Sequence, residues 1–110
     1  MTEILDQNKV AQMGADAGED MLPMLLQIFV EELEASHAEL TGCEHTELAG
    51  VAHKVKGSAA TFGALALQHV SMQLEYAAKG IEPADTEQLK QQCLETMTQT
   101  LSVYRTEFAL

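Results

Sequence analysis

Apolar residues recur at steps of three and four along most of the chain, which is the spacing that places them on one face of an α-helix. In the first half they lie at Leu22, Leu25, Leu26, Phe29, Leu33 and Leu40. In the last third they lie at Leu89, Cys93, Met97, Leu101, Tyr104 and Phe108. No window alternates apolar and polar residues with the period of two that a half-buried strand requires. The pattern therefore predicts an all-α protein.

Short runs of turn-forming residues divide this helical pattern, at residues 14–18, 41–44, 63 and 80–85. They predict a short helix over residues 6–13 and four longer helices over about 19–40, 44–62, 64–79 and 84–108. Pro23 suits the first turn of its helix, and Gly63 suits a C-terminal cap. A length of 110 residues predicts one domain, over residues 1–110. Because short connections make neighbouring helices antiparallel, the predicted architecture is an antiparallel up-down four-helix bundle with a short extra N-terminal helix.

His53 is placed on the solvent side of the third long helix. Successive residues rotate by about 100° around a helix, so one stripe of that helix faces the core. The stripe consists of Leu48, Ala52, Val55, Ala59 and Phe62. His53 lies more than a quarter-turn from it. We therefore expect an exposed imidazole.

Most neighbours of His53 on that helix have very small side chains. Those within one or two turns are Ala49, Gly50, Lys56, Gly57 and Ala60. A glycine inside a helix is less favourable than alanine by about 1 kcal/mol, so Gly57 requires a reason. A side chain at Gly57 would crowd anything that approaches the imidazole. A bare strip around one exposed histidine suits a docking partner with a reactive group.

Acidic residues are absent from Leu48 to Leu74, although the whole chain carries a net charge of -11. Lys54 and Lys56 are the only charged residues in that stretch. Lys56 follows His53 by three positions and is therefore its neighbour on the helix. It could offset a phosphoryl group on the ring, which carries nearly two negative charges near neutral pH. The absence of acidic residues from this stretch predicts a surface that interacts with an anion.

Glu75 is expected to lie beside His53. If the chain turns at Gly63 and Ala64, the third and fourth helices form a hairpin that brings the two residues to nearly the same height. Glu75 lies about 80° from the apolar stripe of its helix, which places it at the flank of the interface. Its carboxylate could accept a hydrogen bond from one imidazole nitrogen. The other nitrogen would then keep its lone pair and act as a nucleophile.

The overall charge and the cysteine content restrict the possible partners and compartment. A strongly acidic chain is a poor ligand for nucleic acid or an anionic membrane, and its charge favours a monomer. Cys43 and Cys93 do not form a disulfide framework. Residues 1–10 lack the apolar core of a signal peptide, and no apolar run reaches about 18 residues. We predict a cytoplasmic protein that binds neither nucleic acid nor membrane.

The residues around His53 resemble the histidine phosphotransfer (HPt) family. The shared motif is His53-x-Val55-Lys56-Gly57-Ser58-Ala59-x-x-Phe62-Gly63-x-x-x-Leu67, followed by Leu74-Glu75. Upstream the resemblance continues through Ile4-Leu5-Asp6 and Leu22-Pro23-x-Leu25-Leu26-x-x-Phe29. It covers nearly the whole chain. In length and local sequence the chain is similar to small stand-alone members that serve quorum-sensing relays, the LuxU type. Gly57 differs from that type, in which Ser can occupy the position.

The resemblance implies reversible phosphoryl transfer through Nε2 of His53, from a receiver domain of a hybrid sensor kinase to that of a response regulator. It implies that Lys56 balances the phosphoryl charge, Gly57 permits close docking and Glu75 orients the ring. It places the shared docking surface on the third and fourth helices, for which we single out Ala49, Gly50, Lys54, Ala60 and Met72. No cofactor is expected on this chain, because Mg²⁺ would be bound by the receiver. No nucleotide-binding loop of the type G-x-x-x-x-G-K-[ST] is present, so we predict a phosphohistidine carrier without ATP-dependent kinase activity.

Two other classes of function are weaker alternatives. The bundle could be an adaptor that binds a signalling partner without transferring phosphate, but a missing His53 or a bulky residue at position 57 would be expected there. A haem or metal bundle would need ligands that point inward from several helices, and His53 is expected to point outward. Cys43-x-His45 is too small a cluster for a zinc site. We therefore predict no metal site.

Overall fold

Five α-helices follow one another in the computed structural model, which describes residues 3–110. They are α1 (Gln7–Ala17), α2 (Leu22–Gly42), α3 (Leu48–Phe62), α4 (Leu65–Ala78) and α5 (Thr86–Phe108). A short 3₁₀ helix, His45–Glu47, leads into α3. Within residues 3–110 the only β-type pairing is an isolated bridge between Leu5 and Ala64. The predicted all-α class, a four-helix bundle with a short N-terminal helix, is confirmed.

Several helix boundaries differ from those that the sequence predicts. Helix α2 begins at Leu22 rather than at residue 19, and α3 begins at Leu48 rather than at 44, because the 3₁₀ helix precedes it. Helix α1 continues through Gly14, a predicted break, to Ala17, and Gly18 follows it with φ 98°. Gly14 is buried, and a Cβ there would lie 3.1 Å from Cδ2 of Leu22, so it permits α1 to pack closely on α2. Helix α5 begins at Thr86 rather than at residue 84, because the Asp85 side chain accepts a hydrogen bond from the Gln88 N–H and caps it.

A left-handed glycine forms the turn between α3 and α4. Gly63 has φ 78° and ends α3, as its position in the sequence indicated. The N-terminal segment is fastened to this turn by two backbone hydrogen bonds, Asp6 N–H to Gly63 O at 2.8 Å and Leu65 N–H to Ile4 O at 3.0 Å. The turn therefore holds α3 and α4 as an antiparallel pair.

Aromatic residues close the core at the same end of the bundle. Phe29 stacks on Phe62 with a centroid distance of 4.7 Å, and Tyr104 packs on Phe29 at 5.0 Å. The buried hydroxyl of Tyr104 donates to the backbone oxygen of Phe62 at 2.8 Å, which satisfies a carbonyl at the C-terminal end of α3. These contacts join α2, α3 and α5, so that α3 presents a fixed face to solvent.

Candidate functional site

His53 lies in the middle of α3 with 68% of its side chain exposed. The neighbouring residues Val51, Ala52 and Val55 are buried and anchor the opposite side of the helix. The ring therefore stands in solvent on a helix whose own position is fixed, as the periodicity of the sequence predicted.

The surface along α3 next to His53 is nearly bare. Gly50 and Gly57 are exposed, and a Cβ placed on either would meet no atom within 4 Å apart from its own helix. No packing contact within the described residues thus requires a glycine at these two positions. Ala49 and Ala60 are partly exposed and add only methyl groups. We call the exposed surface of these four residues and His53 the bare strip.

Two further residues of the predicted docking surface lie on either side of α3. The Nζ atom of Lys54 lies 2.8 Å from Oε2 of Glu39, so this lysine reaches across to α2 and not to the ring. Met72 is partly exposed on α4, beside His69 in a shallow depression. The structure therefore places Lys54 at the α2 side and Met72 on the helix that carries Glu75.

Glu75 contacts His53 directly, at the height that the hairpin geometry predicted. Its Oε2 atom lies 3.0 Å from Nδ1 of His53. The sequence placed Glu75 at the flank of the interface, whereas the structure shows it buried, with 1% of its surface exposed. Because a buried carboxylate must be hydrogen-bonded or paired, this burial depends on the cations around it.

Two lysines complete the surroundings of the Glu75 carboxylate. Lys56 Nζ lies 2.6 Å from Oε1, and Lys79 Nζ lies 2.7 Å from Oε2. Lys56 also lies 5.9 Å from the centroid of the Tyr76 ring. From the sequence, Lys56 is expected to offset a phosphoryl group, whereas in the structure it binds Glu75. The role of Lys79 was not predicted, although a Glu followed four residues later by Lys on one helix is a known favourable pair.

The lysines keep Glu75 ionised despite its burial. Hydrogen bonds from Lys56 and then Lys79 lower the pKa of Glu75 from 4.5 to about 2, against the opposing effect of desolvation. The hydrogen bond with His53 acts in the same direction but more weakly than these. In return, Glu75 raises the pKa of Lys56 above its usual value. The carboxylate is therefore a permanent acceptor for the Nδ1 proton near neutral pH.

This ion cluster gives the fold an acid-sensitive component. Since the folded-state pKa of Glu75 is below the unfolded-state value, its contribution is complete above about pH 4.5 and is lost as the pH falls toward about 2. We expect it to be on the order of 1–2 kcal/mol, because solvent screens the partly exposed lysines. Urea unfolding at several pH values should show that the free energy of unfolding falls more steeply with acid in the parent than in Glu75→Gln.

A matched control for this acid effect is Glu107→Gln, which replaces an exposed carboxylate near the end of α5. Its unfolding free energy should follow the parent's dependence on pH. Parallel curves for the parent and Glu75→Gln would contradict the assignment of this component to Glu75.

The geometry leaves one ring nitrogen available for chemistry. When Nδ1 donates its hydrogen to Glu75, the lone pair of the neutral ring is on Nε2, on the other side of the imidazole. Such a nitrogen is a nucleophile near neutral pH.

Within residues 3–110, no three His, Cys, Asp or Glu side chains are grouped so that they could hold a metal ion. None of the helices in that range combines the length and the hydropathy of a membrane-spanning segment.

Comparisons with known proteins agree with this chemistry. Residues 21–104 match the family model described as "Hpt domain". The phosphorelay protein LuxU of Vibrio vulnificus (strain YJ016) is 33% identical over 106 residues, which cover 93% of this chain and 92% of that protein. LuxU of Vibrio harveyi is 33% identical over 99 residues, covering 86% and 82%. The crystal structure of histidine-containing phosphotransfer protein B (HptB) from Pseudomonas aeruginosa PAO1 aligns with a TM-score of 0.77 at 27% identity, covering 96% of this chain and 95% of that one.

Proposed function

Because the chain belongs to the Hpt domain family, we propose that it carries a phosphoryl group on Nε2 of His53. The family resemblance of the His53 motif is confirmed, and the chain is a histidine phosphotransfer protein of a phosphorelay. The observation that supports His53 as the acceptor is its position: an exposed ring whose Nδ1 is held by a buried carboxylate. With its proton on Nδ1, the ring is held in the tautomer that leaves the Nε2 lone pair free.

The proposed transfer step conserves atoms and charge. The Nε2 lone pair attacks the phosphorus of an aspartyl phosphate on a receiver, and the bond between phosphorus and the aspartate oxygen breaks. The aspartate leaves as a carboxylate, and the ring becomes a phosphoimidazolium that keeps its Nδ1 proton. Glu75 accepts the hydrogen bond from Nδ1 before and after the step, which keeps the ring in place. A second receiver aspartate reverses the step, so the phosphoryl group moves on without hydrolysis.

The bare strip supports close docking of a receiver domain. A phosphoryl group on aspartate is short and recessed, so its receiver must approach the imidazole nearly to van der Waals contact. Gly50 and Gly57 leave that space open, and we propose that Ala49, Ala60, Lys54 and Met72 form the surrounding contact surface. Interfaces of this kind are small and transient.

The electrostatics of the site favour an anionic ligand and disfavour a cation. Glu75 is already bonded to two ammonium groups, which makes this site a poor one for Mg²⁺. We therefore propose that Mg²⁺ is held by the receiver, and that this chain catalyses no ATP-dependent phosphorylation of its own. Lys56 lies one turn from His53 and is proposed to offset the phosphoryl charge from its place at Glu75.

Hpt proteins exchange phosphoryl groups with receiver domains. For this chain we propose two: the receiver of a hybrid sensor kinase as donor and that of a response regulator as acceptor. We further propose that it acts as a monomer in the cytoplasm, in keeping with a net charge of -11.

The test is to supply receivers from the same genome, labelled as aspartyl phosphates in the presence of Mg²⁺. Label should pass to this chain, resist alkali as phosphohistidine does, and map to His53 by mass spectrometry. It should leave again when an unlabelled receiver is added. Label on His37, His45 or His69 would refute the assignment of the acceptor.

A further inference from the structure

Lys79 shares an oxygen atom of Glu75 with the imidazole of His53. Oε2 of Glu75 lies 2.7 Å from Lys79 Nζ and 3.0 Å from His53 Nδ1, whereas Oε1 is bound by Lys56. Lys79 thus approaches the ring from the Nδ1 side, opposite the nitrogen that reacts. It acts on His53 through the carboxylate.

A buried carboxylate beside an imidazole can stabilise the doubly protonated ring, which cannot react. An uncompensated Glu75 would favour a positively charged ring, because an opposite charge at hydrogen-bond distance stabilises the protonated form. A protonated ring carries hydrogen on both nitrogens, so Nε2 would have no lone pair to attack phosphorus. The carboxylate must hold the Nδ1 proton without drawing a second proton onto Nε2.

The positive charge of the two lysines disfavours a second proton on the ring. With one carboxylate and two ammonium groups, the cluster carries a net charge of +1 while the ring is neutral. Adding a proton to the ring would raise that charge to +2. Among the described residues, the ion pairs to Glu75 come from α3 and from the end of α4, and α5 contributes none.

Of the two lysines, Lys79 is the one that bonds the same oxygen of Glu75 as the ring does. Lys56 is on the same helix as His53, one turn away, and is the residue proposed to offset the phosphoryl charge. Lys79 follows α4, where its N–H donates to the backbone oxygen of Glu75 at 3.0 Å and Gly80 turns the chain with φ 72°. Its backbone is therefore fixed relative to the carboxylate that it neutralises.

We propose that Lys79 is a positioning residue, which compensates Glu75 so that the His53 ring stays neutral with its proton on Nδ1. The proposal rests on His53 as the phosphoryl acceptor. It extends the site from His53, Lys56 and Glu75 to a fourth residue that touches neither the phosphoryl group nor the reacting nitrogen.

The test compares Lys79→Met with the conservative Lys79→Arg. The matched control is Lys90→Met, which removes a lysine of α5 that forms no ion pair with the described residues. In ¹⁵N-labelled protein at neutral pH, long-range ¹H–¹⁵N spectra distinguish the two neutral tautomers from the doubly protonated ring. The parent should show His53 with hydrogen on Nδ1 alone.

We expect Lys79→Met to raise the fraction of doubly protonated His53 and to slow phosphoryl acceptance several-fold. Lys79→Arg should restore both, and Lys90→Met should match the parent in both. Circular dichroism and urea unfolding would verify that each variant is folded.

An unchanged His53 spectrum or an unchanged transfer rate in Lys79→Met would overturn the role of Lys79. Failure of the proposed function would look different, since the parent itself would then accept no label. The parent's transfer rate and the ring spectra therefore separate the two questions.

Discussion

Replacing His53 with Gln is expected to reduce phosphoryl acceptance to background while leaving the bundle folded. Glutamine has no nucleophilic nitrogen at the position of Nε2, so no bond to phosphorus can form. The side chain is mostly exposed, and Glu75 retains both lysines after the change. The free energy of unfolding should therefore change by less than about 0.5 kcal/mol. Transfer of label from a phosphorylated receiver measures the first effect, and urea unfolding measures the second.

His45→Gln provides the matched control for this loss. His45 is an exposed histidine in the 3₁₀ helix before α3, and its replacement should leave labelling at the parent rate. If the His53 variant were labelled as strongly as the parent, the acceptor would be a different residue. If neither protein were labelled but both bound receivers, the adaptor alternative would take the place of the relay.

The second large effect is expected at Gly57, where stability and binding should change in opposite directions. Gly57→Gln adds a side chain to the bare strip one turn from His53, and a receiver would have to displace it. We expect at least about a tenfold loss of receiver affinity, equivalent to about 1.4 kcal/mol. Within the protein the new Cβ meets nothing within 4 Å, so the helix gains the usual advantage over glycine, about 0.5–1 kcal/mol. Calorimetric titration and urea unfolding measure the two quantities.

Two further variants make the comparison at Gly57 sharper. Gly57→Ala should stabilise the helix and cost less affinity than Gln, because a methyl group protrudes less. Gly42→Gln alters another glycine with open space around it, at the end of α2, and should leave affinity unchanged. Equal affinity in the parent and Gly57→Gln would remove the argument that the glycine serves close approach.

The exposure of His53 and its pairing with Glu75 could be predicted because both depend on helix geometry alone. Rotation by about 100° per residue fixes which face a residue occupies, and the two-residue turn at Gly63 and Ala64 fixes the heights of the two helices. Neither step needs knowledge of side-chain conformation. The same reasoning placed the bare strip correctly, since glycine and alanine have almost no side chain to position.

The lysine arrangement could not be predicted in the same way. Lysine side chains reach several ångströms in many directions, so helical position does not determine which oxygen they contact. Lys56 could equally have pointed to solvent. The burial of Glu75 depends on its ion pairs with both lysines, so it could not be predicted either. The prediction that the first helix breaks at Gly14 was wrong for a different reason. The absence of a side chain suits both a helix end and close packing on Leu22, and the sequence alone does not distinguish the two.

If the phosphoryl group passes through Nε2 of His53, as proposed, the donor and the acceptor receivers compete for one atom on one open face. Donor and acceptor must both bring an aspartate to the same atom, so they cannot occupy reacting positions together. Each receiver must dissociate before the other binds. The phosphorylated carrier must therefore resist hydrolysis while it is free between the two encounters. An excess of either partner in its unphosphorylated form would then compete for the carrier and slow the throughput of the signal.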